Sequence, residues 1–219
     1  MDRGDQPEGE GRAREPVLRA PWPVVALTLL ILAGYAVEPI VGVEAAAARW
    51  GLRPADVARG RLGGLVSALF VHASWMHAGL NGLAALAFGV PVARLLGSRA
   101  RAGALFFLFY LACGAAAGLV FVAVHPGEDT VLIGASGAVS GLVGASSRLA
   151  PGRAGLAPIL SPRVLAMAGG WIAANLLLGL AGIDAPGSGA PLAWEAHLGG
   201  YAAGLFALSP LLHLGRRSR

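Results

Sequence analysis

The chain has 219 residues, of which 56% are hydrophobic and only 13% charged, and its mean hydropathy is +0.65. A soluble domain carries about 25% charged residues, so the composition excludes that class and implies a polytopic membrane protein. The net charge of +5 is not a nucleic-acid signal, because every basic residue is arginine and most stand at the ends of apolar runs, a placement that reads as topology.

The Arg, Ala and Gly bias suggests a GC-rich bacterial genome. Cys113 is the only cysteine, which excludes an internal disulfide and a zinc site built on thiolates. Residues 1–20 are polar, without hydrophobic period, and read as a flexible tail. A cleaved signal peptide is not expected: the first apolar run starts only at Pro21, with no small-residue cleavage site after it.

The first span is predicted over 21–37, stopped by Glu38-Pro39. A long connection to about Ser67 follows, with short amphipathic pieces at 44–50 and 54–61. Span two is expected over 69–92 and carries His72, His77 and Asn81. Span three covers 104–124, span four 134–149, span five 164–183 with Asn175 inside, and span six 192–214 with His197. Trp22, Trp50, Trp171 and Trp194 fit an interfacial aromatic belt. The tail 216–219 is basic.

Arginines sort by side. The N-tail, the 2–3 and 4–5 connections and the C-tail hold Arg12, Arg14, Arg19, Arg94, Arg99, Arg101, Arg148, Arg153, Arg163, Arg216, Arg217 and Arg219. The other side holds Arg49, Arg53, Arg59 and Arg61, all in the long first connection, and the 3–4 and 5–6 connections hold none. Both termini are therefore expected in the cytoplasm. Ser136, His77 and His197 then share one depth near the opposite face.

The carboxylates all fall in tails, connections or span ends by this division. Polar residues left inside spans are functional candidates by default. Ser136 sits in Gly134-Ala135-Ser136-Gly137, a setting that leaves a nucleophile accessible. His197 is a candidate base, since imidazole titrates in the useful range. Gly200 and Gly204 lie on the face of His197, and Gly137, Gly141 and Gly144 recur similarly in span four. Such small faces let membrane helices approach closely. No third residue to orient His197 is evident: Glu195 is two residues away and turns elsewhere, so a Ser-His dyad is the simpler reading. Asn175 reads as an interhelical hydrogen-bonding residue. His77 and Asn81, at i and i+4, offer donors on one face that suit an oxyanion. Interhelical hydrogen bonding is the plainer alternative for these residues. A metal on His72, His77 and His197 lacks the usual carboxylate or thiolate partner.

Three motifs stand in order: His72-Ala73-Ser74-Trp75-Met76-His77-Ala78-Gly79-Leu80-Asn81, then Gly134-Ala135-Ser136-Gly137, then Ala196-His197-Leu198-Gly199-Gly200. Together they resemble those of bacterial rhomboid intramembrane serine proteases, over about residues 21–215. The resemblance implies an all-α, six-transmembrane-helix bundle in a bacterial inner membrane, acting on transmembrane protein substrates without metal or cofactor. It implies Ser136 as nucleophile and His197 as base. His77, Asn81 and the Ser136 N–H would be oxyanion donors, with His72 structural or water-holding, and Gly134, Gly137 and Gly200 supporting the site. The chain departs from the family twice. Gly63-Gly64 replaces a Trp-Arg pair in the first connection, and Ser140 stands where an aromatic often stacks on the histidine. A non-catalytic membrane-helix binder is the rival class, but it would be free to lose Ser136 or His197. A transporter would need mid-membrane carboxylates or broken helices.

Overall fold

The computed structural model describes residues 20–149 and 155–216. The polar tail and the basic C-terminus fall outside the described residues, apart from Ala20 and Arg216. The described chain is nearly all helical. The elements are α1 (Trp22–Val41), α2 (Val43–Trp50), α3 (Pro54–Ala58), α4 (Gly64–Ser67) running into a 3-10 turn (Ala68–Phe70), α5 (Trp75–Leu96), α6 (Ala100–Val124), α7 (Ser136–Ser147), α8 (Pro162–Leu180) and α9 (Trp194–Arg216).

The helices α1 and α5 to α9 overlap the stretches expected as spans. Among the described residues, α1, α5, α6 and α8 are long and apolar enough to cross a membrane by length and composition. The twelve residues of α7 rise only about 18 Å, short of a hydrocarbon core about 30 Å thick. The physical reason is its surroundings. Gly137 to Ala145 are all buried, so α7 faces protein on every side, and the non-helical chain leading into it needs no lipid-facing hydrogen bonds.

Two boundaries differ from the sequence reading. First, α1 does not stop at Glu38-Pro39. Pro39 lies within the helix, which ends at Val41 before Gly42. Glu38 stays in the helix because it is buried with a partner: its carboxylate accepts the backbone N–H of His72 at 3.0 and 3.2 Å. One carboxylate is therefore inside a span. Second, α5 starts at Trp75, not Leu69. Ser74 caps it, its Oγ accepting the His77 N–H at 3.1 Å, which satisfies a first-turn donor. His72 thus precedes the helix rather than riding on it.

The first connection is tied down without a Trp-Arg pair. Leu52 and Leu132 exchange backbone hydrogen bonds at 2.9 Å in both directions. Arg53 pairs with Asp129 at 2.6 Å. Ser67 Oγ donates to the Trp50 carbonyl at 2.6 Å. The connection is held to the segment that leads into α7.

Candidate active site

The site is built where α7 meets α9. A methyl group at Gly200 would overlap the Gly137 carbonyl, and one at Gly204 would overlap the Gly141 carbonyl. Only hydrogen at these positions lets the two backbones touch. Cys113 of α6 is buried against Gly141 and fills the third side.

That approach sets the distance between side chains. His197 Nε2 lies 2.8 Å from Ser136 Oγ. His197 Nδ1 lies 2.8 Å from Asn175 Oδ1, on α8. Ser140 donates instead to the Ser136 carbonyl at 2.8 Å and does not touch the ring. Glu195 turns to His125, its Oε1 lying 2.8 Å from His125 Nε2.

The Ser136 side is held by the residues before α5. Gly134 has φ +110, and a Cβ there would come within 2.8 Å of the His77 ring, so glycine is required on both counts. The His72 ring is fully buried and its Nε2 accepts the Ala135 N–H at 3.3 Å. It also packs edge-on against His77, with centroids 5.1 Å apart. His72 therefore clamps the turn that presents Ser136. Asn81 Nδ2 donates to the His77 carbonyl at 3.1 Å. Ser136 is the first residue of α7, where backbone N–H groups have no intrahelical acceptor.

A cavity of about 480 Å³ opens onto this group. His77, Asn81, Ser136 and His197 line it, with Trp194 and the loop 185–191 forming a wall. Trp194 therefore faces the cavity as well as packing on Gly179 of α8. At the rim, partial burial alone would lower the pKa of His125, but its hydrogen bonds to Glu195 and Glu128 outweigh this and hold it above the usual histidine value.

A serine hydroxyl in contact with an imidazole, with nearby donors on an accessible cavity, forms a constellation suited to acyl transfer. A family model, the Rhomboid domain, matches residues 59–214. The chain belongs to the rhomboid family. Rhomboids are intramembrane serine proteases that act on transmembrane substrates, which makes this an integral membrane protein of a hydrolase family. A comparison with curated proteins finds no match.

The rhomboid match contains His72, His77, Asn81, Ser136, Asn175 and His197, whereas Glu38 lies before it. Sequence reasoning left His197 without an orienting partner. The available signal was Asn175 itself, a lone amide in an apolar helix. Its partner is 22 residues away on another helix, and no helical spacing relates the two. Glu38 was missed because Glu-Pro resembles a helix stop.

Proposed function

We propose that residues 21–215 form one rhomboid protease domain, an endopeptidase that cleaves transmembrane segments of other membrane proteins. The observation that carries this is the 2.8 Å contact between His197 Nε2 and Ser136 Oγ, beside the cavity bordered by His77 and Asn81. His197 takes the Ser136 proton as Oγ attacks the scissile carbonyl. The oxyanion is met by the Ser136 N–H, Asn81 Nδ2–H and His77 Nε2–H. His77 has its proton on Nε2 because its Nδ1 accepts, at a long 3.5 Å, the Ala73 N–H. His197 then protonates the leaving amine, and water entering through the cavity hydrolyses the acyl-enzyme. The substrate must expose its backbone, since an intact helix has its carbonyls occupied. The Arg, Ala and Gly bias favours a bacterial cytoplasmic membrane, and the placement of the arginines favours both termini inside.

The test is cleavage of a labelled transmembrane substrate by the reconstituted protein. Ser136→Ala and His197→Ala are each expected to lower the rate by about 10³-fold or more. Cleavage that survives Ser136→Ala would sink the mechanism.

A further inference from the structure

The helix α8 buries only two side chains, Val164 and Asn175. Val164 sits in an apolar cluster with Val143, Tyr201 and Leu205. Asn175 is polar, 5% exposed, and lies in a stretch that is otherwise apolar. Its two ends have distinct partners. Nδ2 lies 2.9 Å from the Trp171 carbonyl, one turn earlier on α8. A carbonyl only accepts, so the amide nitrogen is the end that points there. Oδ1 is then the end facing His197 Nδ1 at 2.8 Å, and Oδ1 only accepts. His197 must carry its proton on Nδ1, which leaves the lone pair on Nε2 facing Ser136 Oγ at 2.8 Å.

The hydrogen bonds therefore run in one direction. Ser136 O–H donates to His197, His197 Nδ1–H donates to Asn175, and Asn175 N–H donates to Trp171. Among the described residues, Ser136 and Asn175 take both ring nitrogens of His197. Glu195 is engaged with His125, and Ser140 with the Ser136 carbonyl.

Building on the proposed function above, we infer that Asn175 is the positioning residue of the Ser136–His197 pair, selecting the Nδ1–H tautomer of His197 and fixing its ring rotation. An amide can take the orienting place held elsewhere by a carboxylate. In a membrane interior it does so without a buried charge. Alignment of the base then depends on α8 being docked, although α8 holds neither reacting group.

The test uses the full chain, reconstituted with a labelled transmembrane substrate. Asn175→Leu keeps the size and removes the acceptor, while Asn175→Asp keeps an acceptor oxygen. The leucine variant is expected to lose about 10- to 100-fold in kcat with KM within about twofold, while the aspartate variant stays within about threefold of wild type. The ¹⁵N spectrum of the His197 ring should show the Nδ1–H tautomer in wild type and a mixture in the leucine variant, which a merely structural role would not produce. Should the leucine variant not fold, Asn175→Ala is read in the same way. Wild-type kcat without the acceptor overturns the inference, as does an equal loss in both variants. Ser136→Ala runs alongside: if it still cleaves, the proposed function has failed rather than the role of Asn175.

Discussion

The helices α7 and α8 each bring one group to His197, and they do so by opposite means. The α7–α9 contact is backbone against backbone, through Gly137 and Gly141 on one side and Gly200 and Gly204 on the other. The α8–α9 contact is made by side chains. Trp171 stacks on Tyr201 with centroids 5.9 Å apart, Trp194 packs on Gly179, and Asn175 meets His197. The distance from Ser136 to His197 is thus set by an interface with no room to adjust. The orientation of the His197 ring is set by one that side chains can yield. Distance should be all-or-none under mutation and orientation should be graded.

The largest effect is expected at the rigid interface. Gly200→Leu puts a side chain into the Gly137 carbonyl, and neither backbone can retreat without separating the helices. Overpacking of this kind costs about 3 kcal/mol or more. Thermal melting should fall steeply and labelling of Ser136 by a fluorophosphonate should vanish. A stable, fully labelled variant would break the contrast between the interfaces.

A smaller effect is expected at the yielding one. Gly179→Leu meets the Trp194 ring rather than backbone, and α8 has few buried side chains to lose. Displacing α8 should stretch the Asn175–His197 bond and cost about 10-fold in kcat, with the protein still folded by size-exclusion chromatography. Unchanged turnover would show that α8 can shift without disturbing the base.

The smallest effect lies outside both interfaces, at His125. Its native pKa stands above its ordinary value of 6.5 because Glu195 and Glu128 outweigh burial. A raised native pKa contributes stability that is full below the unfolded value and is lost as pH rises through the native one. For a partly exposed pair the contribution is at most about 1 kcal/mol. Wild type should therefore lose a little melting temperature as pH climbs from about 6.5, and His125→Gln should not. Equal pH dependence in both would remove His125 as the cause.

The apolar runs, the arginine placement and the three motifs were legible in the chain because each is local. Hydrophobic runs report spans, and i to i+4 spacing puts His77 and Asn81 on one face. The small-residue spacing of Gly137, Gly141 and Gly144 against Gly200 and Gly204 is local too, and it marks α7 and α9 as close neighbours. The boundaries were less legible. Glu38-Pro39 has the form of a helix stop, and only the buried His72 N–H explains why the helix runs on. The start of α5 was obscured because the residues before it are as apolar as the helix, and the Ser74 cap is decided by geometry.

The sequence by itself determined that this chain is a membrane protein of helices, which residues are polar within it, and which family motifs it carries. Those properties belong to single segments, and hydrophobicity and helical period suffice to read them. The tertiary structure decided which polar residues meet. Asn175 faces His197, Glu195 faces His125, and Glu38 holds His72, each across a gap in sequence of between 22 and 70 residues. Such pairings depend on how helices are rotated and inset against one another. That is set by the sum of packing over whole helix faces, which no local pattern encodes.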